Sequence, residues 1–240
     1  DSISPIGKEH LEKGIKKEIN AEFYATSTRP PAVYRGNPFV IEAGLAYGGD
    51  QPGEKPARLF RFANRVPLQY QQSAGAVFKG VVGTNWKSYH LAQPQGALPV
   101  GPLTIVIHIA SVWVPFTSES KEAVAHYPEI IKEIKLALQE VGRDLSRYLA
   151  RKKHVKDELK KRSYIEKYIP HVADALVKLL GLADAEKDSI HNKLADLLEK
   201  KRGKLESVDF DPTKNAEFDE EFAKIGEEEK KDEDADGGEA

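Results

Sequence analysis

The residues from Leu103 to Leu149 constrain the fold more than any other stretch of this chain. They open with a dense apolar run, Leu103-Thr104-Ile105-Val106-Ile107-His108-Ile109-Ala110-Ser111-Val112-Trp113-Val114. The run is rich in β-branched residues and too short and too polar-flanked to cross a membrane, so it predicts a buried strand. Pro115 stops it. Thr117, Ser118 and Ser120 offer capping hydroxyls ahead of Lys121-Glu122-Ala123-Val124, which is expected to turn helical. Pro128 stands where a first helical turn tolerates proline, and Glu129 follows where the helix dipole favours an anion. Ile130, Ile134, Ala137, Leu138, Val141, Leu145, Tyr148 and Leu149 then recur at spacings of three and four, one apolar stripe on one long helix. A central strand feeding a long rigid helix has the geometry of a lever, and this order suggests that the chain transmits motion.

Upstream, Ser4-Pro5-Ile6-Gly7 reads as a turn, and Lys8 to Ile19 as an amphipathic helix with Leu11, Ile15 and Ile19 on one face. Gly14 weakens its middle by roughly 1 kcal/mol relative to alanine. Glu22 to Ser27 predicts a strand, and Arg29-Pro30-Pro31 forces extended backbone. Arg35-Gly36-Asn37-Pro38 is a second turn, and Phe39 to Tyr47 is a strong strand closed by Gly48-Gly49. Arg58-Leu59-Phe60-Arg61-Phe62-Ala63-Asn64-Arg65 alternates apolar and basic residues, which predicts one buried face and one wet, positive face. Val66 to Tyr70 continue that strand past Pro67. Ser73 to Val82 suits a short helix whose small residues permit close approach, with Gly83 ending it. Together these predict an antiparallel-leaning sheet covered on one face by helices, an α+β layer.

After Leu149 the character changes. Residues 151–162 hold seven bases, Arg151, Lys152, Lys153, Lys156, Lys160, Lys161 and Arg162, against two acids. Tyr164, Ile165, Tyr168, Ile169, Val172, Ala173, Leu176, Val177 and Leu180 form a further apolar stripe, interrupted by Pro170 and ended at Gly181. Ile190, Leu194, Leu197 and Leu198 mark a last helix, ended by Gly203. From Glu206 onward the composition is that of a disordered tail, in which Phe210, Phe218 and Phe222 are candidate docking points. The expected divisions are a body over 1–150, a basic stalk and C-terminal helices over 151–205, and the acidic tail over 206–240.

Charge follows the same divisions. Residues 206–240 contain fifteen acids and four bases, a net of −11, whereas residues 1–205 contain 23 acids and 32 bases, a net of +9. A basic body with an acidic tail suggests a polyanionic partner for the body; the competing explanation is plain solubility. The chain has no cysteine, which rules out disulfides and thiolate metal sites and is compatible with a reducing cytosol. It also has no methionine, even at position 1, which suggests a piece of something larger or an edited chain.

No catalytic signature stands out. Neither common Gly-rich phosphate-binding motif, nor a His-Glu-x-x-His helix, nor a serine elbow is present. The histidines have no metal-ligand spacing, and His108, inside the apolar strand, reads as a core histidine with a satisfied hydrogen bond. Acids such as Glu42 and Asp50 have no evident partner. Two features rise above this background. In Trp86-Lys87-Ser88-Tyr89 a lysine anchored by two aromatics could present a point charge to a phosphate supplied from outside, or be a surface lysine between two core aromatics. The 151–162 cations could neutralise nucleic-acid phosphates without reading sequence, or form a solvated helix face.

Several segments in fixed order carry a resemblance. Ser4-Pro5-Ile6-Gly7, Thr28-Arg29-Pro30-Pro31, Gly36-Asn37-Pro38-Phe39, Ala46-Tyr47-Gly48-Gly49, Arg61-Phe62-Ala63-Asn64-Arg65-Val66-Pro67-Leu68, Trp86-Lys87-Ser88-Tyr89 and the run from Ser111 to Glu122 resemble the transducer domain in the B subunit of archaeal-type DNA topoisomerase VI. The likeness extends from about residue 1 to 180. It implies a four-stranded, mainly antiparallel sheet backed by helices, then a long helix and a C-terminal helical segment. It further implies that an ATPase domain of the GHKL type precedes this region, and that ATP and Mg²⁺ bind mainly outside it. Lys87 would contact the γ-phosphate of ATP, with Trp86 and Tyr89 as anchors. Partners implied are the DNA-cleaving A subunit of topoisomerase VI, a second B subunit through the ATPase domain, and duplex DNA, with no membrane and a cytoplasmic, nucleoid-associated location.

Under the same resemblance Arg151, Lys152, Lys153, Lys156, Lys160, Lys161 and Arg162 are DNA-contact candidates, and Tyr164, Ile165, Tyr168, Ile169, Val172, Leu176 and Leu180 are candidates for the interface with the DNA-cleaving partner. The family's cleavage tyrosine belongs to that partner, so Tyr89 and Tyr127 are not nucleophiles. This chain is expected to hold no catalytic residue and no metal of its own, and to act as the coupling part of an ATP-dependent type IIB topoisomerase. The reading from another class is a free-standing nucleic-acid-binding scaffold that uses the basic helix 151–162.

Overall fold

The computed structural model describes residues 3–70, 73, 75–117, 123–183 and 186–202, without the side chains of 158, 159, 162, 199, 201 and 202. The capping candidates Ser118 and Ser120, together with Lys121, Glu122 and the acidic tail with its three phenylalanines, lie outside the described residues. Helix α1 spans Lys8–Glu18, followed by strands β1 (Phe23–Thr28), β2 (Ala32–Tyr34), β3 (Asn37–Tyr47), β4 (Arg58–Ala63) and β5 (Val66–Pro67). Helix α2 (Gly75–Val82), a 3₁₀ turn (Trp86–Tyr89), β6 (Leu103–Ser111), α3 (Pro128–Leu180) and α4 (Lys187–Arg202) complete the order. The chain divides into two units, Asp1–Glu158 and Leu159–Ala240, and α3 contributes to each.

The fold is α+β with a mixed sheet in the order β1-β3-β6-β4-β5, with β2 added on β3. The resemblance implied four strands; among the described residues the sheet has six, four longer ones and the short β2 and β5. β1–β3 and β3–β6 are antiparallel, but β4 pairs in parallel with β6, placing Phe62 beside His108 and Ala63 beside Ile109. A parallel neighbour requires a crossover, and the segment carrying α2 supplies it.

Helices cover both faces of the sheet, not one. Leu11 and Ile15 of α1 pack with Ala46 and Val106 on one face. On the other, Phe23 stacks on Tyr148 of α3 at 4.8 Å between ring centroids, and Arg29 at the end of β1 reaches Glu133 of α3. This double cover explains why all nine residues of β6 are buried and why their sequence shows a continuous run instead of alternation. The predicted stripe on α3 is equally clear: Ile130, Ile134, Leu138, Val141 and Leu145 are fully buried, each contributing roughly 1.5–3 kcal/mol of transfer free energy.

Three local expectations are corrected. Ala123 and Val124 are not helical; Val124 forms an antiparallel bridge with Phe116, and Thr117 Oγ1 donates to the Ala123 carbonyl. In β4 the basic residues do not share one wet face: Arg58 is exposed, whereas Arg61, on the opposite face, is buried and donates to the Leu68 and Tyr70 carbonyls at 3.0 and 2.8 Å, and Phe60 is 44% exposed. Arg58 and Arg61 are three positions apart, so the period-two pleat puts them on opposite faces. Pro170 lies inside α3, and the helix continues past it to Leu180, where Gly181 adopts a left-handed φ of 63°.

Candidate functional site

The turn that carries Lys87 is built from the end of α2. Thr84 Oγ1 donates back to the Gly80 carbonyl at 2.8 Å, and the chain enters the 3₁₀ turn Trp86–Tyr89. The Trp86 indole is fully buried, and its Nε1 donates to the Val81 carbonyl at 2.8 Å. Gln93 laces the turn from the far side: Oε1 accepts from the Trp86 amide, and Nε2 donates to the Val82 and Ala97 carbonyls. Tyr89 meets Trp86 edge-on at 6.1 Å. His90 closes the turn with a left-handed φ of 64°. Lys87 itself is exposed. A charge on a long flexible side chain is thus mounted on backbone that its two aromatic neighbours hold in place.

That turn grips the long helix. A methyl group added to Gly142, towards the end of the buried stretch Ile130–Leu145 of α3, would lie 2.7 Å from Cε2 and 2.8 Å from Cδ2 of Tyr89. Earlier on the same helix, a methyl on Gly80 of α2 would meet Cγ2 of Ile134 at 2.5 Å. Small residues at both points let α2 and the turn approach α3 more closely than any side chain would permit.

The cations of 151–162 differ in their surroundings. Lys153, Lys156, Lys160 and Lys161 are exposed and Arg151 is half-buried. Lys152 is paired with Glu22 and sits over the Tyr148 ring at 5.9 Å. Hydrogen bonds from Lys152 and Tyr148 hold the Glu22 carboxyl below its usual range, while burial, with the Glu22 contact, pushes the Tyr148 phenol up. The side chain of Arg162 is not among those described.

In the second unit the apolar stripe separates into two adjacent rows. Ile169, Ala173 and Val177 are buried, whereas Tyr164, Tyr168, Val172 and Leu180 are exposed and Leu176 is half-buried. Ile165 lies between, at 37% exposure. Asp174 pairs with Lys187, tying α3 to α4 and lowering the Asp174 pKa. Four-residue spacing along one helix face produces each row. Ile169, one of the interface candidates, therefore serves this unit's interior.

One cluster escaped the sequence reading. Glu42 and His108, on paired strands, are both fully buried. Glu42 accepts from His108 Nδ1 at 2.7 Å, from the Ile6 and Gly7 amides at 2.8 and 2.6 Å, and from Thr28 Oγ1 at 3.0 Å. His108 Nε2 accepts from the Arg65 amide at 2.9 Å, so the ring carries its proton on Nδ1 and donates it to the carboxylate. Burial alone would raise the Glu42 pKa, but the hydrogen bonds from His108, Ile6, Gly7 and Thr28 outweigh it and hold it below the usual carboxylate range. His108 is the satisfied core histidine expected; Glu42, read as partnerless, is its partner. The signal was a lone acid and a lone histidine in two otherwise apolar strands.

Among the described residues, no group of three or more histidine or acidic side chains could hold a metal ion, and no helix is long and apolar enough to cross a membrane. Residues 1–161 match the family model described as topoisomerase VI B subunit, transducer. The chain is 46% identical over 198 residues to the B subunit of type 2 DNA topoisomerase 6 from Methanosarcina acetivorans, covering 82% of this chain and 31% of that protein. It is 49% identical over 180 residues to the protein of the same name from Methanococcoides burtonii, covering 75% and 29%. The crystal structure of the DNA gyrase B-subunit from Myxococcus xanthus overlaps 57% of this chain and 38% of that one, at 19% identity and a TM-score of 0.38, too remote to bear on function. The chain thus spans about a third of the length of its curated relatives. Its matched residues include the Lys87 turn, its grip on α3, and the buried glutamate–histidine pair, and this chain belongs to the transducer family of topoisomerase VI B subunits.

Proposed function

We propose that this chain is the coupling element of an ATP-dependent type IIB DNA topoisomerase. It relays the state of a nucleotide bound in a GHKL-type ATPase domain to a DNA gate in the A subunit, for double-strand passage and relaxation of supercoiled DNA. The observation that carries the reading is the mounting of Lys87: an exposed ammonium on a turn locked by the buried Trp86 and lodged against α3.

Lys87 suits a terminal phosphate because its compact charge can meet a non-bridging oxygen without demanding a fixed planar geometry. ATP, when bound, supplies a terminal phosphoryl group whose presence or loss changes the charge facing Lys87. Trp86 and Gln93 fix the turn's backbone, and Tyr89 ties it to the helix. α3 keeps helical backbone from Pro128 to Leu180, which suits it to pass on a displacement. The exposed lysines of 151–162 would face duplex DNA, and the outer row Tyr164, Tyr168, Val172 and Leu180 would pack on the A subunit. A second B subunit would join through the ATPase domain, where Mg²⁺ is also bound. The protein would work in the cytoplasm beside the nucleoid. A free-standing nucleic-acid scaffold is not favoured, because it leaves the Lys87 turn without a purpose.

Lys87→Ala in the full-length protein, within the complete heterotetramer, tests this reading. One charge-assisted contact contributes about 1.5–3 kcal/mol, so ATP-coupled strand passage is expected to fall about tenfold to a hundredfold while the fold is retained. Unchanged relaxation of supercoiled DNA would overturn it.

A further inference from the structure

Gly142 is the one glycine in the 53 residues of α3, and it stands in the interior of the helix, where glycine is intrinsically unfavourable. It is buried, and the space a side chain would need is taken by the Tyr89 ring, which would meet an added methyl at 2.7 Å. About two turns earlier on α3, Ile134 receives Gly80 of α2, and Lys135 lies where a methyl on Gly83 would stand. The segment from Gly80 of α2 through the Lys87 turn is therefore seated on α3 at both of its ends. Between these seats, Trp86 and Gln93 bind the turn to the last residues of α2. Lys87 sits two residues from the ring at the second seat.

We propose that Tyr89 and Gly142 form the joint through which a displacement of the Lys87 turn is passed to α3, with Tyr89 acting as a positioning residue. This rests on the reading of Lys87 as the nucleotide-sensing group. The aromatic ring is rigid, and the absence of a side chain at Gly142 brings it against the helix backbone, so the turn has little room to shift without shifting the helix. A flexible aliphatic side chain at 89, or a methyl group at 142, would leave slack or misplace Lys87 while leaving both elements folded.

The test uses the full-length protein in the complete heterotetramer, and reads strand-passage events per ATP hydrolysed beside thermal unfolding. Gly142→Ala and Tyr89→Leu are each expected to lower that ratio about tenfold to a hundredfold, the range for displacing a working group by roughly 1 Å. Tyr89→Phe, which keeps the ring, is expected to preserve it. The double variant Gly142→Ala/Tyr89→Leu is expected to be no worse than the weaker single variant, because both act on one joint. Should Gly142→Ala unfold the chain, Tyr89→Leu decides the matter alone, since it leaves the helix sequence untouched. An unchanged ratio in folded Tyr89→Leu, with Lys87→Ala still uncoupled, overturns the joint and leaves the role of Lys87 standing. An unchanged ratio in Lys87→Ala overturns the sensing role instead.

Discussion

Glu42 Oε2 lies 2.7 Å from His108 Nδ1 in the middle of the sheet, and neither side chain exposes any surface to water. The same carboxylate holds the Ile6 and Gly7 amides, so the N-terminal turn is fastened to the sheet through one buried charge. A buried charge is tolerated only when its hydrogen bonds are complete, and removing part of that set exposes the desolvation cost of what remains.

Stability should therefore depend on pH through Glu42. Its folded pKa lies below the ordinary 4.5, so its contribution is fully present above that value and is lost as pH falls through the lower folded pKa. Glu42→Gln places an amide against two backbone donors and is expected to cost about 1–3 kcal/mol at neutral pH. The gap between wild type and variant should close below about pH 4.5. Urea unfolding on either side of that pH measures it, and a gap independent of pH would refute the assignment.

Arg29 joins β1 to α3. Its Nε donates to Glu133 at 3.1 Å and a terminal nitrogen donates to Glu140, which also accepts from Ser27 Oγ. Burial would lower the Arg29 pKa, but the two carboxylates outweigh it and raise it, so the charge persists across the accessible pH range. Its side chain is 21% exposed, between the limits of an exposed and a buried pair. Arg29→Met is expected to destabilise the first unit by about 1–3 kcal/mol. Chemical denaturation of the chain checks this; a loss within the scatter of ordinary surface substitutions would show that the pairs contribute nothing net.

The lysines after Leu149 should not be equivalent towards DNA. Lys153→Ala and Lys156→Ala are each expected to reduce the slope of log affinity against log salt by about 1, the contribution of one phosphate contact. Lys152→Ala should reduce it less, because its ammonium is already paired with Glu22. Titrating duplex DNA binding at several salt concentrations separates the three. Equal changes would mean that Lys152 leaves Glu22 on binding.

By itself, the sequence determined the four longer strands and the apolar face of the long helix. Apolar residues at spacings of three and four marked the buried face of α3, because each reports its own burial along a regular helix. The strand predicted over Leu103–Val114 was legible from its continuous β-branched run, although it stops at Ser111 and leaves Val112 and Trp113 exposed; Lys87 is exposed, as either reading of its motif requires. Only the tertiary structure decided what stood opposite. It set β4 parallel to β6, turned Arg61 inward, paired Glu42 with His108 across 66 residues of chain, and brought Tyr89 to Gly142. The physical reason is that periodicity records whether a residue is covered, while a partner is chosen by non-local packing, where an acid finds its histidine and a ring finds the one gap in a helix.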